Sequence, residues 1–187
     1  MSVSVYLPDS EPRPEAASLA PSPRSLAGLR IAVLDNGKAN ADVVMIAAAK
    51  ALAARTGASV TLVTKKGPMG LSANAAIPVA EDRFERICAE ADIVITGAAD
   101  CGSCTAYSVR DAIELEKAGK PTVVTTTTHF HKVAATLSAS FGLPETRLFV
   151  LPHPFGGTGE ETLRKWAEAG TDQLIALFTG TSVTGRN

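Results

Sequence analysis

Starting at Leu29, five short apolar runs alternate with stretches whose apolar residues recur at helical spacing, which restricts the chain to a sheet layered with helices. The first run, "LRIAVLDN", is followed by "ADVVMIAAAKALAARTG", whose helical pattern ends at Gly57. "ASVTLVT" is β-branched, is bounded by Gly57 and by Lys65-Lys66-Gly67-Pro68, and reads as a buried strand. A loop, "KKGPMGLSANAAIPV", leads to the helix "AEDRFERICAEA", with Phe84, Ile87 and Cys88 on one face. The pattern then continues through "DIVITGA", a helix over 105–118 stopped by Gly119, "PTVVTTTT", a helix over 130–141, "TRLFVLPHP" and a last helix over roughly 159–178.

The strands therefore fall at 29–35, 58–64, 92–97, 121–127 and 147–152. Strands that are apolar throughout and separated by helices predict a parallel sheet covered on both faces. Right-handed crossovers favour the order 2-1-3-4-5. The expected class is α/β: a single doubly wound, mostly parallel five-stranded sheet, flavodoxin-like or Rossmann-like. Residues 1–28 show no sustained period and are rich in Pro, Ser, Ala and Glu, so they read as an extended N-terminal arm or linker. Such an arm is either a mobile tail or a wrap around a neighbouring subunit, in which Val3, Val5, Tyr6 and Leu7 would be buried. Residues 29–187 form the expected α/β catalytic domain.

Composition narrows the function classes. A chain of 187 residues suits one core. With 18 Lys and Arg against 19 Asp and Glu, it lacks the basic excess of a nucleic-acid binder. No apolar stretch reaches the ~20 residues of a membrane helix, and no signal-peptide layout opens the chain, so it reads as cytoplasmic with no membrane partner. Three cysteines, Cys88, Cys101 and Cys104, are too few for a secreted disulfide framework. Cys88, beside Ile87, reads as a small buried hydrophobe.

In such a sheet ligands bind beyond the carboxyl ends of the strands. That edge collects Asp35, Asn36, Gly37 and Lys38 after the first strand, and Asp100, Cys101, Ser103, Cys104 and Thr105 after the third. The fourth strand supplies Thr125 to Thr128, His129 and His131, and the fifth supplies His153. All three histidines thus join the cysteine pair.

A thiol in the turn before helix 105–118 meets unpaired N–H groups, which favour the nucleophilic thiolate. A helix terminus contributes about 0.3–1 kcal/mol, at most about 2. Each pKa unit is worth about 1.4 kcal/mol, so the terminus supplies about one unit. Taking the thiol from ~8.5 to below ~7 also needs direct hydrogen bonds, from Thr105, Ser103 or backbone N–H groups, or a cation such as Lys38. Asp100 opposes the thiolate when ionised and is suited to bracing the turn or handling a proton.

Four readings fit Cys101-Gly102-Ser103-Cys104. Cys101 attacks and Cys104 resolves the adduct as a disulfide. Both bind zinc with one or two histidines, although a single C-x-x-C and an H-x-H are weak zinc spacings. Cys101 forms a thioester or thioether with no redox change. Or the two thiols merely pack. In "TTTTHFHK", Thr127 or Thr128 can cap helix 130–141, whose N-terminus then cradles an anion. A histidine there keeps its neutral form and can serve as base or donor. The alternative is four ordinary strand threonines with His129 and His131 in solvent.

The stretch "ADIVITGAADCGSCTAYSVRDAIELEKAGKPTVV" resembles the signature region of the UGSC-type family, named for selenocysteine-Gly-Ser-Cys. It is more distantly similar to the selenoprotein B subunits of glycine, betaine and proline reductases. The close similarity spans about residues 30–156. The resemblance implies that Cys101 stands at the selenocysteine position as attacking atom, with Cys104 resolving, and so favours thiol redox chemistry over zinc. Taken together, these features predict an enzyme whose Cys101 attacks a carbon–heteroatom or sulfur–sulfur bond of a small carboxylate- or phosphate-bearing molecule. Cys104 and an external thiol or dithiol complete the cycle, without metal or tightly bound cofactor. His131 or His153 protonates the leaving group. Asn36, Gly37, Lys38, Ser103, Thr105, Thr127, Thr128 and His129 hold the substrate. A lyase or hydrolase without net redox change and a subunit of a larger reductase complex are the alternatives, and the partner is a second copy or a reductase protein.

Overall fold

Each apolar run becomes a strand, and each run of helical period becomes a helix packed on it. The computed structural model describes residues 16–66 and 75–181. Its elements are β1 (Arg30–Asp35), α1 (Ala41–Thr56), β2 (Ser59–Thr64), α2 (Glu81–Glu90), β3 (Ile93–Ala99), α3 (Gly102–Lys117), β4 (Thr122–Thr127), α4 (His131–Ser140), β5 (Arg147–Leu151), α5 (Glu160–Ala169) and α6 (Thr171–Thr179). The strands form one parallel sheet in the expected order, β2-β1-β3-β4-β5. In the central register Val33 sits between Leu62 and Ile95, and Ile95 in turn pairs with Val123.

Helices cover both faces. One core packs Val44, Met45, Ala48 and Leu52 of α1 with Leu163 and Ala167 of α5 and Leu174 and Phe178 of α6 against Ile31, Val33, Ile93, Ile95 and Phe149. On the other face α2 supplies Ile87, and α3 supplies Val109, Ala112, Ile113 and Leu115. Because every strand enters a helix on its carboxyl side, all five strand-to-helix turns open at one edge.

Several expectations change. β2 is one of the two edge strands and, unlike β5 at the other edge, is largely exposed, with Leu62 at 42% exposure. The last helix is two, divided at Gly170, where an added Cβ would lie 2.5 Å from Cε2 of Phe149. The absence of a side chain there lets the chain bend closely over β5. α3 begins at Gly102, three residues earlier than its apolar pattern suggests. Cys88 is half-buried rather than enclosed; partial burial pushes its thiol above the ordinary value, while Ile87 carries the contact with the core.

Of the expected arm, residues 16–28 lie against the body of their own chain, and Ala20 and Leu26 are buried. The Ala20 N–H donates to Glu116 Oε2 at 2.6 Å, and its carbonyl accepts from Arg147 Nη2 at 2.9 Å. Glu116 and Arg147 are themselves a buried ion pair. The Ala17 N–H donates to the Gly142 carbonyl at 2.9 Å, and Ala17 and Leu19 pack on the core beside α3 and α4. Val3, Val5, Tyr6 and Leu7 fall outside the described residues, as do 67–74 of the loop after β2.

Candidate functional site

β3 runs straight into α3, and Cys101 is the hinge between them. Its backbone is extended, at φ −149° and ψ 170°, the conformation of an N-cap. The Cys101 sulfur accepts the Cys104 N–H at 3.3 Å, and the Cys104 sulfur accepts the Cys101 N–H at 3.0 Å. This is a capping box in which two sulfurs replace the usual hydroxyl and carboxylate. The spacing that permits a box, N-cap to third helical residue, is also the C-x-x-C spacing. The two sulfurs are joined as a disulfide, with Cα atoms 5.5 Å apart.

The pair is asymmetric. Cys104 is fully buried, whereas Cys101 is partly exposed. The Cys104 sulfur lies 3.3 Å from the Cys101 carbonyl oxygen and 3.9 Å from Asp100 Oδ1. Thr105, buried, donates its hydroxyl and its N–H to that Cys101 carbonyl, while the Ser103 hydroxyl stands 3.9 Å from the Cys101 sulfur. Thr105 is thus a brace of the turn, and Ser103 is the exposed hydroxyl beside the outer sulfur.

The β1 turn contributes less than its composition suggests. Asn36 is 1% exposed; its amide donates to the Ala98 carbonyl at 2.9 Å and to Ser108 Oγ at 3.4 Å, and its Oδ1 accepts the Lys38 N–H at 3.1 Å. Its polar atoms are engaged within the protein and hold the β1 turn onto β3 and α3. Gly37 is also buried, its N–H donating to Asp35 Oδ1 at 2.8 Å. Lys38 reaches outward and pairs with Asp100, Nζ to Oδ1 at 3.3 Å.

The threonines and histidines form a second group, one strand along. Thr127 is buried, with its hydroxyl 3.2 Å from His153 Nδ1, and the exposed Thr128 hydroxyl is 3.4 Å from His129 Nδ1. The His129 and His153 rings stack with centroids 4.3 Å apart, and Phe130 flanks His153. The N-cap of α4 is Phe130 without a side-chain cap, so the expected capping by Thr127 or Thr128 is not what the turn uses. His131 Nδ1 lies 2.8 Å from the Thr128 carbonyl, which places a proton on Nδ1 and leaves Nε2 outside that bond. Among the described residues no hydrogen bond joins this group to the cysteine turn. The two groups share the edge because β4 lies beside β3, with Thr126 Oγ1 donating to the Ala99 carbonyl at 2.9 Å.

Ser108 is not among the residues the sequence gathers at this edge, and Thr126 is gathered there without a role. Ser108 follows Cys104 by one helical turn and so faces the same way. Thr126 is indistinguishable in sequence from its neighbouring threonines. Donor atoms of Asp100, Cys101 and Cys104 lie within 4.8 Å of one another, without a histidine. Two cavities, of about 610 and 400 Å³, flank the 16–22 segment, one beside the end of α3 and the other beside α6, and neither is lined by the cysteines.

Fold and site together define an α/β protein with a parallel 2-1-3-4-5 sheet and a sulfur capping box on the helix after the central strand. The chain belongs to the UGSC family, whose model matches residues 4–180. None of the curated proteins matches it. Among solved structures it is similar to a flavodoxin from Streptococcus pneumonia, with 16% identity, 80% of this chain and 99% of the other covered, and a TM-score of 0.47. It is also similar to an NAD(P)H:quinone oxidoreductase from Methanothermobacter marburgensis, with 13% identity, 78% and 98% covered, and a TM-score of 0.44. A diflavin flavoprotein from Nostoc sp. shares 15% identity over 81% of this chain and 94% of its own, with a TM-score of 0.43.

Proposed function

We propose that the protein is a thiol-dependent oxidoreductase in which Cys101 attacks a small anionic substrate and Cys104 resolves the adduct. One observation carries this reading: two paired sulfurs at the carboxyl end of β3, one partly exposed and one buried, each placed to receive the other's N–H. A thiol reacts as its anion, and an anion at an N-cap is held by the helix terminus and by a direct N–H bond. Membership of the UGSC family supports the same reading, since selenium at position 101, as the family's namesake motif has it, would serve the same attack.

With a disulfide substrate, the Cys101 thiolate bonds to one sulfur and expels the other as a thiolate. Cys104 then bonds to Cys101 and expels the second. The substrate gains two electrons, the cysteine pair loses two, and an external thiol or dithiol returns them. With a carbon–heteroatom bond, the heteroatom leaves first; the carbon then departs from Cys101 as a carbanion, which needs an adjacent carbonyl and a proton. His131, whose Nε2 is not engaged by the Thr128 carbonyl and donates when the ring carries its second proton, and His153 are the groups we assign to protonating the leaving atoms. The first turn of α4, with Thr128 and His129, is the assigned place for the substrate's carboxylate or phosphate. No tightly bound cofactor is required, the reduced thiol pool of the cytoplasm suits the cycle, and a second copy or a reductase partner can deliver the electrons.

The test is mass spectrometry of reduced protein incubated with metabolite extract. Cys101→Ala abolishes turnover, and Cys104→Ala accumulates a covalent adduct on Cys101. Full activity in Cys101→Ser overturns the proposal. Turnover that persists in Cys104→Ala without added reductant selects instead a lyase or hydrolase that uses Cys101 as a simple nucleophile.

A further inference from the structure

We infer that Asp100, held by Lys38, is the proton acceptor for Cys104 in the step that closes the disulfide; this inference rests on the reading of Cys101 as attacking and Cys104 as resolving sulfur. Cys104 is 0% exposed, so its thiol has no direct route for its proton to water. It must nevertheless become a thiolate before it can attack. Two acceptor atoms lie close to its sulfur: the Cys101 carbonyl oxygen at 3.3 Å and Asp100 Oδ1 at 3.9 Å. The carbonyl can accept a hydrogen bond but cannot keep a proton, whereas the carboxylate can.

The same Oδ1 is reached by Lys38 Nζ at 3.3 Å. Side-chain exposure rises from 6% at Asp100 to 32% at Lys38, so the contacts lead outward from a buried sulfur through a carboxylate to a group in water. The ionisable groups around Asp100 are Lys38 from the turn after β1 and the two cysteines of α3. An ionised carboxylate beside a thiolate is unfavourable, but in this step the charge moves rather than adds. The proton of Cys104 passes to Asp100, the sulfur takes the negative charge, and the Cys101 N–H at 3.0 Å receives it. The thiolate's electron pair forms the bond to Cys101. The bond from Cys101 to the bound group breaks, and its electron pair leaves with that group, which takes up a proton. Asp100 is therefore a catalytic residue of this step, and Lys38 is a positioning residue that holds the carboxylate in place.

The experiment uses an aromatic disulfide whose released thiolate is coloured, mixed by stopped flow with the fully reduced chain in a Cys88→Ser background. Two equivalents are released in sequence: the first on attack by Cys101, the second on resolution by Cys104. In the parent protein the second phase is flat between about pH 6 and 8, where an unassisted thiol rises about tenfold per unit. Asp100→Asn slows the second phase at least about tenfold at neutral pH and restores the tenfold rise. Lys38→Met slows the second phase several-fold, and Lys38→Arg recovers it. A second phase in Asp100→Asn that matches the parent across the range overturns the inference. Should Asp100→Asn lose its fold by circular dichroism, the parent profile decides, since a tenfold rise per unit there overturns it equally. Failure of the cysteine assignment looks different: Cys104→Ser then releases two equivalents, or Cys101→Ser does.

Discussion

Gly97, three residues before Asp100, has φ +143°, and an added Cβ would sit 2.7 Å from the Thr125 carbonyl oxygen. That approach of β3 to β4 brings the cysteine turn beside the threonine turn. Gly97→Ala combines a disfavoured backbone region with a clash against main chain, and the expected cost is on the order of 2–4 kcal/mol by urea denaturation. Asp92 sets a pH dependence at the opposite edge. The Arg30 guanidinium, at 2.8 Å, and the Arg30 N–H hold its carboxyl below the ordinary value. A carboxyl lowered on folding adds stability that is present above its unfolded pKa and disappears as pH falls through the folded one. Asp92→Asn therefore flattens the acid limb of the stability profile, read by thermal melts from about pH 5 down to 2. Individual chemistry-bearing residues were legible in sequence to unequal degrees. Cys101 and Cys104 stood out because their spacing matches the first turn of a helix. Asn36 reads in sequence as a substrate contact, but an amide after a strand serves equally as a ligand or a brace, and its hydrogen bonds to Ala98 and Ser108 are legible only in the fold.

Among elements, the strands were the most legible, since five runs such as "DIVITGA" have no other way to bury themselves, and with helices between them the order 2-1-3-4-5 followed. Ends were harder to read. The start of α3 was displaced because Gly102 and Ser103 are poor helix formers, and the sulfur capping box overrides their propensity. The break at Gly170 depends on the ring of Phe149, some twenty residues away in sequence, which no local pattern reports. β2 reads in sequence as buried because β-branching is shared by central and edge strands. The capping box also bears on the stability of α3. Closing a four-residue loop by a disulfide is worth roughly 2 kcal/mol in the chain-entropy account. Reduction should therefore lower the melting temperature by roughly 4–8 °C, with Cys101→Ala/Cys104→Ala insensitive to reductant. An unchanged midpoint on reduction would mean that the two N–H···S bonds carry the helix start alone.

Across the whole molecule, α3 carries the cysteine pair at its first turn and Glu116 near its last, and Glu116 joins Arg147 in gripping both backbone groups of Ala20. The segment over 16–28 is in this way part of the folded body. Removing one partner leaves a buried charge uncompensated, so Glu116→Ala should cost about 3–5 kcal/mol and open residues 16–28 to limited proteolysis. Trp166, the only tryptophan, packs against the core on the α1 face and gives the fluorescence readout for the same unfolding. No helix among the described residues is long and apolar enough to cross a membrane. The reciprocal sulfur–amide bonds have a practical outcome for magnetic resonance. Because each of the two amide protons points at the other residue's sulfur, the nitrogen–proton resonances of 101 and 104 should shift together when the pair gains or loses electrons, providing a label-free gauge of oxidation state in an isotope-enriched sample.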